Sequence, residues 1–249
     1  MCLIVIGWRV HPQYPLVVTA NRDEFYARPS TTIERWPDAT QVLGGRDLEA
    51  GGTWLGITDS GRFAAVTNVR EPGMAKGIRS RGELTRNFLM GDQSARQYAE
   101  AVDSAAYSGF NLLLADGNAL IYCSNRDGEP RELPPGIYGL SNHLLDSPWP
   151  KLLAARQAFA EAIPALPDTT ALFNLLADTQ IVPDASLPKT GVSIEWERLL
   201  SAIFVKSETY GTRASTVVWQ RQDGGVSIEE KSFGPSGQPL QSSLISTCE

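Results

Sequence analysis

An α+β fold, with antiparallel sheets covered by helices, is predicted by three features of this 249-residue sequence. Pairs of β-prone segments flank compact turn signals. Helix-period segments come in groups between those pairs. No regular strand–helix–strand alternation runs along the chain, as a parallel sheet would require. No internal repeat and no linker-like stretch interrupts the pattern, so one domain over residues 1–249 is expected.

The first hairpin joins an apolar run at residues 2–10 to another at 16–20, across the strand-breaking His11-Pro12-Gln13-Tyr14-Pro15. Its second arm runs into the polar quartet Asn21-Arg22-Asp23-Glu24, expected at the strand's end. Residues 25–50 have no clean period and read as loop with short pieces. A second hairpin pairs 53–58 with 62–67 around Asp59-Ser60-Gly61. Residues 71–81 are Gly-rich and charged, hence a loop. Helices are expected at 82–90 and 95–105, the latter capped by Ser94. A third hairpin pairs 110–115 with 119–123, and 137–140 is a short strand leading into Ser141-Asn142-His143. Ser147-Pro148 opens a helix to about 162, with further helices at 169–178 and 193–204. Residues 213–220 and 226–231 form the last hairpin, and the Gly/Pro/Ser-rich tail from about 234 reads as irregular.

Composition narrows the function. A net charge of −6 argues against a nucleic-acid or anionic-membrane surface. No run approaches the roughly 18 apolar residues of a membrane span. No secretory leader is evident, and the three cysteines, Cys2, Cys123 and Cys248, stand at no metal-ligand spacing. A reducing, cytoplasmic setting is therefore expected, with no metal site. With only His11 and His143, a Ser-His-Asp triad has little raw material.

The residue with most chemical promise is Cys2. A cysteine in an apolar strand is usually a small buried hydrophobe. Its place after the initiator Met1 suggests more. With Met1 removed, one residue carries a thiol of ordinary pKa about 8.5 and an α-amine of about 7.7–8.0, a nucleophile beside its own base. If the first two strands pair, the quartet lies beside that thiol. Asp23 would then hold the α-ammonium, and Arg22 would lower the thiol pKa. Asn68, Asn142 and Arg213 also fall at strand ends. Asparagine amides can donate to an oxyanion, and an arginine can hold a carboxylate or lower a thiol pKa. Each of these residues alone is more often a turn or cap.

Met1-Cys2, the Asn21-Arg22-Asp23-Glu24 quartet, Gly51-Gly52-Thr53-Trp54-Leu55-Gly56, Thr67-Asn68, Gly139-Leu140-Ser141-Asn142-His143 and Gly211-Thr212-Arg213 together resemble the NRDE family, also called the transport and Golgi organisation protein 2 family. The resemblance covers essentially the whole chain. It implies a four-layer αββα sandwich of the N-terminal-nucleophile hydrolase type, and a cysteine amidohydrolase cleaving a linear amide through a Cys2 thioester. It also implies Asp23 near the amine, Asn68 and Asn142 around the oxyanion, and Arg213 near the thiol. Asn21, Arg22, Trp54 and His143 are the candidate substrate contacts. One departure is Ala20, where the related acylases carry an arginine; Arg22 is the available substitute. The family's association with haem trafficking and acyl-CoA or lipid homeostasis implies an alternative, a haem or acyl-CoA carrier without hydrolysis, although no haem motif is present. A third reading makes Cys2 and the quartet simply structural. No cofactor is required for the hydrolase reading, and the oligomeric state is not legible.

Overall fold

A computed structural model describes residues 2–75 and 77–247. Its strands form two antiparallel sheets. The six-stranded sheet contains β1 (Cys2–Trp8), β2 (Leu16–Phe25), β10 (Gly136–Leu140), β11 (Tyr210–Gln220), β12 (Val226–Phe233) and β13 (Pro239–Ser246), in the order β10-β1-β2-β11-β12-β13. The seven-stranded sheet is a meander, in chain order, of β3 (Glu34–Trp36), β4 (Ala39–Gly44), β5 (Leu55–Thr58), β6 (Phe63–Asn68), β7 (Phe110–Ala115), β8 (Leu120–Ser124) and β9 (Asp127–Glu132).

Side-chain alternation along each strand builds the layers. On β1, Ile4, Ile6 and Trp8 face the second sheet and pack with Ile57, Phe63, Leu113 and Tyr122. Leu3 and Val5 face the other way, onto Leu152 and Phe159 of α3 (Pro150–Ala162) and Leu172 and Leu176 of α4 (Thr170–Leu176). The outer face of the second sheet packs on α1 (Gly82–Met90) and α2 (Ala95–Glu100) through Phe88, Leu89 and Ala95. The result is helix, sheet, sheet, helix: the four-layer αββα sandwich expected from the resemblance. A strand buried on both faces needs apolar residues at consecutive positions, which explains the unbroken Leu3-Ile4-Val5-Ile6 run. Each such side chain contributes roughly 2 kcal/mol by leaving water.

The structure departs from the sequence reading in several places. β2 continues to Phe25, so the quartet lies within a strand and not beyond its end. Its buried polar side chains find partners on β11, which pairs with it from Tyr210↔Phe25 to Gln220↔Leu16. Residues 34–36 and 39–44 are strands within the expected loop, and 127–132 and 239–246 are strands with mostly exposed side chains. These last two are sheet-edge strands, held by backbone pairing to β8 and β12, which leaves no apolar alternation to read. The long helix begins at Pro150, not Ser147. The Ser147 hydroxyl instead donates to the Leu144 carbonyl at 2.6 Å, and Pro150 takes the first helical turn. The helix expected at 95–105 ends at Glu100, after the Ser94–Gln97 capping box, and is followed by a short 3₁₀ turn at Ser104–Ala106. The last helix, α5 (Ile194–Leu199), is half its expected length. Among the described residues no helix is long and apolar enough to cross a membrane. Met1 and Cys248 lie outside the described residues.

Candidate active site at the first strand

β1 and β2 pair with Cys2 opposite Arg22. β2 pairs with β11 so that Arg22 faces Ala214, which in turn faces Ser232 of β12. Pleating gives this row the inter-sheet side, continuing Ile4 and Ala20, and all four residues line a cleft of about 540 Å³. Asp23, Trp54, Asn68 and Arg213 line the same cleft. The expected first hairpin is therefore present, and Arg22, Asp23 and Glu24 of the quartet share a cleft with the thiol.

The backbone nitrogen of Cys2 donates to Asn142 Oδ1 at 3.4 Å, and the Ser141 hydroxyl donates to the Cys2 carbonyl at 2.9 Å. Asn142 in turn donates through Nδ2 to the Asn68 carbonyl at 3.0 Å and Oδ1 at 2.9 Å. Asn142 is wholly buried, and with both Nδ2 protons on Asn68 it fixes that residue's amide. Thr67 at the end of β6 donates to the Ser141 carbonyl at 2.7 Å, tying the two sheets together at this point.

Asp23 is buried, and its Oδ1 accepts from Thr212 Oγ1 at 2.7 Å. Burial pushes its carboxyl up, while the cationic Lys151, the Thr212 hydrogen bond and Arg22 draw it back. A bulge between Thr212 and Ala214 leaves Arg213 as an extra residue with no register partner on β2. Thr212 faces Asp23, and Arg213 turns towards the carbonyls of Phe25 and Arg28.

The Cys2 thiol is pushed up, chiefly by burial, with Asp23 and Glu24 adding to the rise and Arg22 opposing it. Arg22, directly opposite in the register, and Arg81 are the arginines whose charge couples to the thiol. Arg213 instead faces Arg22, a like charge.

Two of the sequence candidates stand apart. Asn21 has the opposite strand parity and points into the helical side. There its Nδ2 donates to the carbonyls of Leu176 and Ile203 at 2.8 and 2.9 Å, and its Oδ1 accepts from Ser215 Oγ at 2.6 Å. It pins α4 to the sheet. His143 is exposed, its Nδ1 is 2.8 Å from Ser147 Oγ, and it does not line the cleft.

Other residues of the site escaped the sequence reading. Lys151 on α3 is buried, donates to the Leu200 carbonyl at 2.8 Å, and is lowered to about 8, mainly by burial. It lies on one helical face with Ala155 and Phe159, at i, i+4 and i+8, so a helical projection would have exposed a lysine on an apolar stripe. Arg70 donates its backbone nitrogen to the Asn142 carbonyl at 2.8 Å and makes a buried ion pair with Glu197 at 3.0 Å. No local pattern signals that pair, since 127 residues separate its partners. Arg81 reaches the cleft because Gly52 lies against the Gly82 backbone, where a Cβ would sit 2.4 Å from Gly82 atoms. That close approach gives the Gly51-Gly52-Thr53-Trp54 segment its physical meaning.

The layers and sheet order define an N-terminal-nucleophile hydrolase-like fold. The N-acylethanolamine-hydrolyzing acid amidase ortholog of Caenorhabditis elegans superposes with a TM-score of 0.53 at 14% identity, over 87% of this chain and 92% of that one. A mutant conjugated bile acid hydrolase from Clostridium perfringens gives 0.55 at 9% identity, over 99% and 92%. These likenesses are of fold. By sequence, the chain belongs to the transport and Golgi organisation 2 family, whose model matches residues 1–235. It is 39% identical to the Bos taurus transport and Golgi organization protein 2 homolog, covering 94% of this chain and 93% of that protein. It is 38% identical to the Homo sapiens homolog, with the same coverage, and 29% identical to the Drosophila melanogaster protein, covering 88% and 87%.

Proposed function

We propose that this protein is a cysteine amidohydrolase that cleaves a linear carbon–nitrogen amide bond through a Cys2 thioester. One observation carries the reading: the backbone nitrogen of Cys2 is held by Asn142, which also fixes Asn68, while the thiol shares a cleft with Asp23 and Arg22. Removal of Met1 would turn that nitrogen into the base.

The α-amine takes the thiol proton as Sγ attacks the amide carbonyl carbon, forming a C–S bond and an oxyanion. The Asn68 side-chain amide, oriented by Asn142, is the donor for the oxyanion. The C–N bond breaks, the leaving amine takes the proton, and water hydrolyses the thioester to regenerate Cys2. Asp23 holds the α-ammonium, and Arg22 favours the thiolate. Arg22 fulfils the electrostatic role that Ala20 lacks, from the same face of β2 and one pleat closer to the cleft.

Intact-mass analysis of protein from its native host, before and after incubation with N-acyl aminocoumarin amides, tests this. The expected result is a chain lacking Met1 that gains one acyl group on Cys2 and none in Cys2→Ala. A chain retaining Met1 would lack the base and overturn the mechanism.

The second reading is a haem or acyl-CoA carrier on the same fold. It is favoured by one feature: among the described cleft-lining residues, Cys2 is the side chain of a kind that ligates haem iron. A Soret shift on haem titration that disappears in Cys2→Ala, without acyl-enzyme formation, would support it.

A further inference from the structure

Six arginines line the cleft: Arg22, Arg28, Arg46, Arg79, Arg81 and Arg213. Three are matched closely by carboxylates, Arg28 by Asp47 at 2.7 Å, Arg46 by Asp38 at 2.7 Å and Arg79 by Glu83 at 2.8 Å. Arg22 has Glu24 only at 4.0 Å. Arg81 and Arg213 have no carboxylate within ion-pair distance among the described residues. Their donors go to backbone carbonyls instead: Arg81 Nη1 to Gly109 at 3.1 Å, and Arg213 Nη1 to Phe25 and Arg28. A guanidinium offers five N–H donors, so each keeps several uncommitted, and Arg213 Nε is buried without a hydrogen-bond partner.

Gathering like charges in a partly buried cleft costs free energy, and structures hold such groups where an anion offsets the cost. Burial lowers the pKa of both guanidiniums, Arg22 adds to the lowering of Arg213, and Glu24 opposes it at both. Five carboxylates, Asp23, Glu24, Asp47, Glu49 and Glu230, line the same cleft, but none of them lies within ion-pair distance of Arg81 or Arg213. Trp54, Phe233 and Leu240 add apolar surface to the cleft lining.

We infer that Arg81 and Arg213, together with Arg22 opposite Cys2, form an anion subsite, so that the ligand carries a carboxylate or phosphate beside an apolar chain. The inference deepens the hydrolase reading by naming the charge class of the substrate, and it rests on that reading only for the position of the scissile bond.

Calorimetry on the full chain with octanoate, octyl phosphate and neutral octanamide tests it. The expected result is that at least one anion binds about tenfold or more tightly than octanamide, and that 0.5 M salt weakens it, as for a ligand held by charge-assisted hydrogen bonds. The preferred anion identifies carboxylate or phosphate. Arg81→Gln and Arg213→Gln should each remove most of that preference. The surface variant Arg131→Gln should leave it. Equal binding of octanamide by the wild type, a reading that needs no variant to fold, would overturn the subsite. So would full anion affinity in both folded glutamine variants. Binding by Cys2→Ala of octanoate or octyl phosphate, with no turnover of any amide by the wild type, would sustain the subsite and overturn the hydrolase. Hydrolysis of neutral amides without anion preference would do the reverse.

Discussion

Cys2 and Cys123 are chemically identical side chains in opposite environments. Both are buried in strands, and burial raises both thiols. Cys123 on β8 packs into the core beneath α1 and α2, its Sγ 4.0 Å from the Ala99 carbonyl, and its pKa is pushed up to about 11. Cys2 borders a cleft, faces Arg22 and shares that cleft with Asp23. Burial therefore does not distinguish a reactive thiol from an inert one. Access to a cleft, and an arginine placed opposite the thiol, do.

The largest separation between the two should appear in turnover. Cys2→Ala is expected to lower amide hydrolysis by on the order of a thousandfold or more, with Cys123→Ala near wild type in steady-state assays. Equal losses would end the comparison. Asp23→Asn, which keeps the shape but not the charge, should cost on the order of a hundredfold in kcat with KM little changed, because in the proposed mechanism the carboxylate acts on the α-ammonium and not on the substrate.

The surroundings of the cleft give a third contrast, in stability. Glu230 is buried on β12, accepts from Ile33 N at 3.1 Å and from Thr216 Oγ1 at 3.2 Å, and is raised to about 7, chiefly by burial. Because the folded chain holds this proton more tightly than the unfolded one, its stabilising contribution is complete below pH 4.5 and is lost as pH rises towards 7. Glu230→Gln should accordingly flatten that part of the pH–stability curve by about 3 kcal/mol, measured by urea unfolding between pH 5 and 8. An unchanged slope would mean that Glu230 stays ionised in the fold.

Smaller still is the difference in alkylation. Iodoacetamide, followed by peptide mass mapping, should label Cys2 about tenfold or more faster than Cys123. The Cys2 rate should keep climbing with pH beyond the ordinary thiol range, and Arg22→Gln should move that climb higher, since it removes the cation that favours the thiolate.

The hairpin signals at Asp59-Ser60-Gly61, Asp116-Gly117-Asn118 and Asp223-Gly224-Gly225 each join strands that pair in the structure, because turn chemistry is local. Strands β9 and β13 were illegible for the opposite reason: at a sheet edge the backbone pairs while the side chains meet water. Among the site residues, Cys2, Asp23, Asn68 and Asn142 were nameable from strand position and family likeness. Arg81, Lys151 and Arg70 were not, because they reach the site from loops and helices far along the chain.

The sequence by itself determined the class of fold, through hydrophobic period and turn residues, and the family, through Cys2 and the quartet. Only the tertiary structure decided which member of that quartet faces the thiol. Strand register and pleat send Arg22 towards the cleft and Asn21 into the helical layer, and Arg213, at a bulge, lines the cleft wall. Adjacent residues acquire opposite roles because a strand alternates its faces, and which face meets the cleft is fixed by the strands that pair beside it.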